Sequence, residues 1–231
     1  MTAFVMIAGS FHGGWLWGRV AERLTQAGHR VFAPSLTGIG DRAHLIHAGV
    51  NLTTHIDEIA ALFHYERLEN VVYVGHSYGG MIVSGVADRM PERMKALVYV
   101  DAVVPENGQS VVDIGSPEQK MQVVEVIANN GGYLVPPPVT RKSPDRDWLN
   151  ALVTPHPAAT LFERIKLTGA WKTVTNKHYV WCTTHWSKAM NERGERLSQD
   201  PAWKVHQIAS GHQPMVEKPD ELTKVLLEAA A

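Results

Sequence analysis

Val71-Val72-Tyr73-Val74-Gly75-His76-Ser77-Tyr78-Gly79-Gly80-Met81-Ile82-Val83 is the stretch whose reading decides the fold. Its first four residues are a β-branched, apolar run of the kind that forms a buried strand, and residues 80–87 read as the start of a small-residue helix. Between them lies a G-x-S-x-G pentapeptide, Gly75 to Gly79. A serine at such a strand-to-helix corner sits on a sharp turn with its hydroxyl exposed, which is the geometry of a nucleophile elbow. Glycines two residues before and after it let strand and helix backbones approach with no Cβ in the way. Ser77 is therefore the candidate nucleophile.

Working outward, strand and helix signals alternate. The pattern predicts a strand over 4–8, a Gly-rich loop, a helix over 17–27 ended by Gly28, and a strand over 29–33 stopped by Pro34. A loop over 34–50 carries Thr37-Gly38-Ile39-Gly40, and 53–67 reads as a helix with Ile56, Ile59, Ala60 and Phe63 on one face. After the elbow comes a strand over 96–100 ending at Asp101, then strands over 179–183 and 205–208 and a closing helix over 219–230. Near-continuous apolar strands alternating with helices mean a mostly parallel, doubly wound α/β sheet covered on both faces. Residues 104–176 break the rhythm with Asn129-Asn130-Gly131-Gly132 and Pro136-Pro137-Pro138 and with short helical signals over 119–127 and 158–166. The expected organisation is a core of 1–103 and 177–231 with 104–176 inserted as a helical cap.

Composition narrows the function classes. With 231 residues, 45% of them hydrophobic, the chain can bury a full core, and a net charge of −1 gives no case for nucleic acid or a membrane surface as partner. No apolar run reaches the length of a membrane span, no basic leader precedes the first strand, and the one cysteine, Cys182, excludes an internal disulfide. A cytoplasmic protein is the expectation. Among twelve histidines only His44 and His47 form a close pair outside the motifs, in a loop, so no metal site is expected.

A serine hydroxyl is a poor nucleophile at neutral pH and needs a base within hydrogen-bond reach. His212 lies in Ala209-Ser210-Gly211-His212-Gln213-Pro214-Met215, a loop between the last strand and the closing helix, from which it can reach across the carboxyl edge of the sheet. For the acid, Asp101 ends the strand directly after the elbow helix and emerges at the same edge as Ser77. Asp113, Asp145, Asp147 and Glu217 also lie in loops, but none follows a strand so directly. An oxyanion hole needs two backbone N–H groups. Tyr78 supplies one and Ser10, in Gly9-Ser10-Phe11-His12-Gly13-Gly14, is the candidate for the other; that loop does not match G-x-G-x-x-G.

Together these residues resemble the small α/β-hydrolase esterases related to plant methylesterases and hydroxynitrile lyases, in particular their bacterial carboxylesterase branch. The resemblance rests on Phe11-His12-Gly13-Gly14-Trp15, Leu36-Thr37-Gly38-Ile39-Gly40, Gly75-His76-Ser77-Tyr78-Gly79-Gly80, Tyr99-Val100-Asp101-Ala102, and Gly211-His212 with Lys218-Pro219. It implies ester hydrolysis without a cofactor, through an acyl-enzyme, under a mobile helical cap. Two departures stand out. The family's usual His-Gly in the first loop is here Ala8-Gly9, and its usual acid in a Cys-Thr-x-Asp pattern is replaced in Cys182-Thr183-Thr184-His185. Some α/β-hydrolases, the haloalkane dehalogenases among them, take the acid from the strand after the nucleophile, the position of Asp101. Hydroxynitrile lyases of the family carry a lysine after the catalytic histidine, where this chain has Gln213.

The expected function is thus a serine carboxylesterase with Ser77 as nucleophile, His212 as base and Asp101 as acid. Phe11, His12, Trp148 and Trp186, with Trp171, are candidates to line a pocket for a small or aromatic ester. A homodimer is compatible with the sequence. Two other readings stay open at this level: a lyase or cofactor-free oxygenase on the same scaffold, and a weakly active or non-catalytic small-molecule binder, the latter because of His185.

Overall fold

The computed structural model describes every residue of the chain except 115, 116, 141, 142, 185 and 186. The strands β1 (Ala3–Ile7), β2 (Arg30–Phe32), β3 (Val71–His76) and β4 (Met94–Val100) alternate with the helices α1 (Gly18–Gln26), α2 (Leu52–Tyr65) and α3 (Gly79–Arg89). Between β4 and the next strand of the main sheet come α4 (Val111–Ile114), α5 (Pro117–Ala128), β5 (Leu134–Val135), α6 (Arg146–Leu152), β6 (His156–Pro157) and α7 (Ala159–Phe162). The main sheet resumes with β7 (Lys177–Cys182), α8 (Lys188–Ser198) and β8 (Lys204–Ile208), and the chain closes with α9 (Pro214–Glu217) and α10 (Pro219–Ala230).

Six strands pair in the order β2-β1-β3-β4-β7-β8, every pairing parallel. Because side chains alternate across a strand, each central strand buries two sets. Val5, Ile7, Tyr73, Leu97, Tyr99 and Tyr179 face α2 and α3, whereas Phe4, Met6, Val72, Val74, Val98 and Val180 face α1 and α10. Burial on both faces explains why these strands read as unbroken apolar runs. Each such large side chain contributes roughly 1.5–3 kcal/mol. The doubly wound α/β architecture expected from the sequence is the one observed.

Helix α2 begins at Asn51, whose Oδ1 accepts from the amide of Thr54 at 2.9 Å while the Thr54 hydroxyl accepts from the amide of Asn51 at 3.3 Å. This reciprocal cap satisfies two donors that the first turn leaves open. The segment between β4 and β7 is tied back to the core by polar contacts. Asp88 on α3 accepts from the amides of Thr168 (2.6 Å), Gly169 (2.9 Å) and Trp171 (3.1 Å), and Glu163 accepts from the amide and hydroxyl of Thr53. Its short antiparallel pair, β5 with β6, carries Thr154 to the first loop, where the Thr154 amide donates to the Phe11 carbonyl at 3.1 Å.

Candidate active site

The carboxyl ends of β1, β3, β4 and β8 bring four loops together. At the end of β3, Ser77 has φ +53°, a left-handed backbone that a non-glycine residue adopts only when its surroundings hold it there. They do: its amide donates to the Val100 carbonyl at 3.3 Å, and its carbonyl accepts from Gly80 at 3.1 Å and Val103 at 3.0 Å. The flanking glycines are required by space. A Cβ on Gly75 would lie 2.6 Å from the Gly79 carbonyl oxygen, and one on Gly79 would lie 2.7 Å from that of Ile7.

One strand over, Asp101 leaves β4 with φ +42° and its amide bonded to the Val180 carbonyl at 2.8 Å. Its carboxylate is wholly buried, and Oδ2 lies 2.6 Å from His212 Nδ1. A short contact of this kind is a charge-assisted hydrogen bond. It fixes the proton on Nδ1 and so presents Nε2 as the nitrogen able to accept another. The histidine loop is braced from two sides. His76 Nε2 donates to the His212 carbonyl at 2.7 Å, with the two rings 4.6 Å apart, and Glu217 Oε2 accepts from the amide of Gly211 at 2.7 Å. The residue before the serine therefore holds the backbone of the histidine loop.

The loop after β1 forms the opposite wall. His12 Nδ1 donates to the Ser10 carbonyl at 2.7 Å, and Gln213 Nε2 lies 3.0 Å from His12 Nε2. Burial, reinforced by nearby His212, lowers the His12 pKa to about 4, so His12 is neutral at ordinary pH. Behind the elbow, the Tyr78 hydroxyl lies 2.9 Å from His55 Nδ1, and His55 Nε2 donates to the Thr37 carbonyl at 2.9 Å. Thr37 is in turn gripped through its amide and hydroxyl by Glu58, which pairs with Arg42 at 2.7 Å. Burial lowers the pKa of His55 and raises that of Tyr78 well above the usual phenol value, so this network is neutral at its inner end. Ser77 and His212 share a cavity of 260 Å³ with Ser10, Phe11, His12 and Gln213, lined also by Pro138, Thr140 and Val153 from the segment between β4 and β7.

Comparison with known proteins agrees with this fold. A model of the alpha/beta hydrolase family matches residues 4–225. The chain belongs to the α/β-hydrolase family. It is similar to a carbendazim hydrolyzing esterase of Nocardioides sp. (strain SG-4G), 34% identical with 98% of each chain covered. It is also similar to putative methylesterase 11, chloroplastic, of Arabidopsis thaliana, 25% identical over 98% of this chain but 63% of the relative's length. Among solved structures, an extracellular alpha/beta-hydrolase from a Paenibacillus species superposes with a TM-score of 0.88 at 21% identity, covering 99% of both chains, a likeness of fold.

In this α/β-hydrolase, Ser77, His212, Ser10, Phe11 and His12 meet at one cavity, and Asp101 and Tyr78 lie directly behind it. Trp148 does not line that cavity: it is 38% exposed and packs edge-on against Trp15 at 5.2 Å, with Arg19 over its ring. Trp171 is buried elsewhere, against Tyr99 and Trp203. Trp186 and His185 lie outside the described residues. Of the other loop carboxylates, Asp113 is engaged with Ser110 and Lys120, Asp145 with Arg19 and Asp147 with Arg146, whereas Glu217 lies beside His212 but is bonded to the Gly211 amide rather than to the imidazole. Sequence reasoning missed Gln213 as a cavity residue and His76 as a brace. The one sequence signal for them was adjacency to His212 and Ser77. Among the described residues no helix is long and apolar enough to cross a membrane.

Proposed function

We propose that this protein hydrolyses small carboxylic esters through an acyl-enzyme formed on Ser77. That it is a carboxylic-ester hydrolase follows from its family and from relatives named as esterases. The finer mechanism is supported chiefly by one observation, the 2.6 Å contact between buried Asp101 and His212 Nδ1 at a cavity that Ser77 shares.

In this reading Ser77 Oγ attacks the ester carbonyl carbon and its proton passes to His212 Nε2. The carbonyl oxygen becomes an oxyanion, which accepts from the amides of Tyr78 and Ser10; among the described residues neither amide donates to a turn or loop carbonyl. Each such donor is worth about 10²–10³ in rate. The bond to the alcohol oxygen then breaks, and that oxygen takes the proton from His212. Water attacks the acyl carbon, gives a proton to His212, and the acid leaves as Ser77 Oγ regains it. Asp101 holds the correct tautomer and stabilises the imidazolium formed in each half. Residues 104–176 serve as the lid that roofs the cavity and sheds water from the oxyanion. The assignment to Asp101 removes the main reason for a non-catalytic reading, since the acid need not come from the position of His185.

Pre-steady-state hydrolysis of p-nitrophenyl acetate tests the acyl-enzyme, with carbendazim in the first substrate panel because a 34% identical relative is named for hydrolysing it. The expected result is a burst of p-nitrophenol close to one equivalent per chain, abolished in Ser77→Ala. Absence of turnover of every ester in a panel from acetate to octanoate would overturn the reading.

A further inference from the structure

Gln213 is held by a chain of hydrogen bonds whose polarity can be worked out atom by atom. The Ser10 carbonyl can only accept, so the proton on His12 is on Nδ1, 2.7 Å away. Neutral His12 then has a lone pair on Nε2, and the Gln213 group 3.0 Å from it must be the amide nitrogen, which donates. The amide cannot turn over without setting two acceptors against each other. Its Oε1 is consequently oriented by the protein, and among the described residues nothing donates to it. Gln213 itself lines the cavity that holds Ser77 and His212.

Resting on the ester-hydrolase reading, we infer that Gln213 Oε1 is a specificity-determining acceptor, and that the favoured substrates are esters carrying an O–H or N–H donor close to the scissile carbonyl. Phe11, Pro138 and Val153 offer apolar surface, and His12, with Nδ1 and Nε2 both engaged, has nothing further to offer a ligand. The hydroxyls of Ser10 and Thr140 also face this cavity, but each can turn to donate or accept, whereas Gln213 Oε1 is fixed as an acceptor. A substrate without a donor strips water from Oε1 and leaves it unpaired, whereas a substrate with one replaces that water. The expected discrimination is about tenfold or more in kcat/KM, modest because Gln213 is only partly buried.

Two matched pairs read it out: phenyl glycolate against phenyl methoxyacetate for a donor on the acyl side, and 2-hydroxyethyl acetate against 2-methoxyethyl acetate for one on the alcohol side. In the wild type, at least one hydroxyl ester is expected to exceed its methoxy partner by about tenfold. In Gln213→Leu and Gln213→Met, which keep bulk but have no acceptor, that ratio falls to about one with melting temperature as the folding control. The wild-type ratio needs no variant and so cannot be lost to misfolding. Turnover of all four esters with ratios near one, or a ratio that survives both substitutions, overturns the role of Gln213 and leaves ester hydrolysis standing. Failure of the wild type to turn over any of them, phenyl acetate included, overturns the hydrolase reading and this inference with it.

Discussion

Asp101→Asn is the substitution that asks most of this structure. The carboxylate is 0% exposed and its Oδ2 lies 2.6 Å from His212 Nδ1. Asparagine has the same shape, so the backbone at Asp101, held by the 2.8 Å bond of its amide to Val180, is expected to stay in place. The chemistry changes in two ways. An amide NH2 turned towards Nδ1 donates to it and forces the proton onto Nε2, where it blocks acceptance from Ser77. An amide oxygen turned towards Nδ1 keeps the tautomer but has no charge to stabilise the imidazolium in a buried, low-dielectric setting. Either way kcat is expected to fall about 10⁴-fold, or about 5.4 kcal/mol of barrier. Steady-state turnover of p-nitrophenyl acetate by wild type and variant, with thermal melts to show an intact fold, measures it. A loss smaller than about tenfold would remove Asp101 from the reaction and return the acid to another residue.

Other consequences follow from buried groups away from the serine. His178 is fully buried, and burial, with His206 and Lys204 adding to it, lowers its pKa to about 4. Between pH 6.5 and 4 the unfolded chain takes up a proton there and the folded chain does not, so stability falls as pH falls through that window, by up to about 3 kcal/mol from this group. Urea melts from pH 7.5 to 4.5 check the sign, and a flat profile would contradict it. Asp88→Ala strips the acceptor from three backbone amides, those of Thr168, Gly169 and Trp171, and should cost about 2–4 kcal/mol while loosening the segment before β7. Hydrogen exchange at those amides, unchanged in the variant, would refute that role.

What could be read from residues alone divides along physical lines. Val71 to Ser77 and Ala96 to Asp101 were legible because strands buried on both faces must be continuously apolar, and a serine between them and a small-residue helix has few other uses. Helix α8 escaped notice. Five of its eleven residues, Lys188–Ser198, are charged, and it docks by letting Gly194 meet the Trp181 ring and by burying Leu197, a pattern with no apolar stripe. The short α7 stops at Phe162, well before the helical signal over 158–166 runs out. Pocket residues were harder still. An aromatic such as Trp148 looks the same in sequence whether it lines a cavity or covers Trp15, and only packing distinguishes the two. Gln213 and His76 act through contacts 201 and 136 residues away in sequence, which no local pattern encodes.

The central claim is that Ser77 is an activated nucleophile, and covalent trapping tests it most directly. Folded protein treated with a fluorophosphonate should gain one phosphonyl adduct per chain, mapped by peptide mass to Ser77, absent in Ser77→Ala and strongly slowed in His212→Ala. An unmodified Ser77 in protein that is folded by circular dichroism, or an adduct at another residue, would contradict the account.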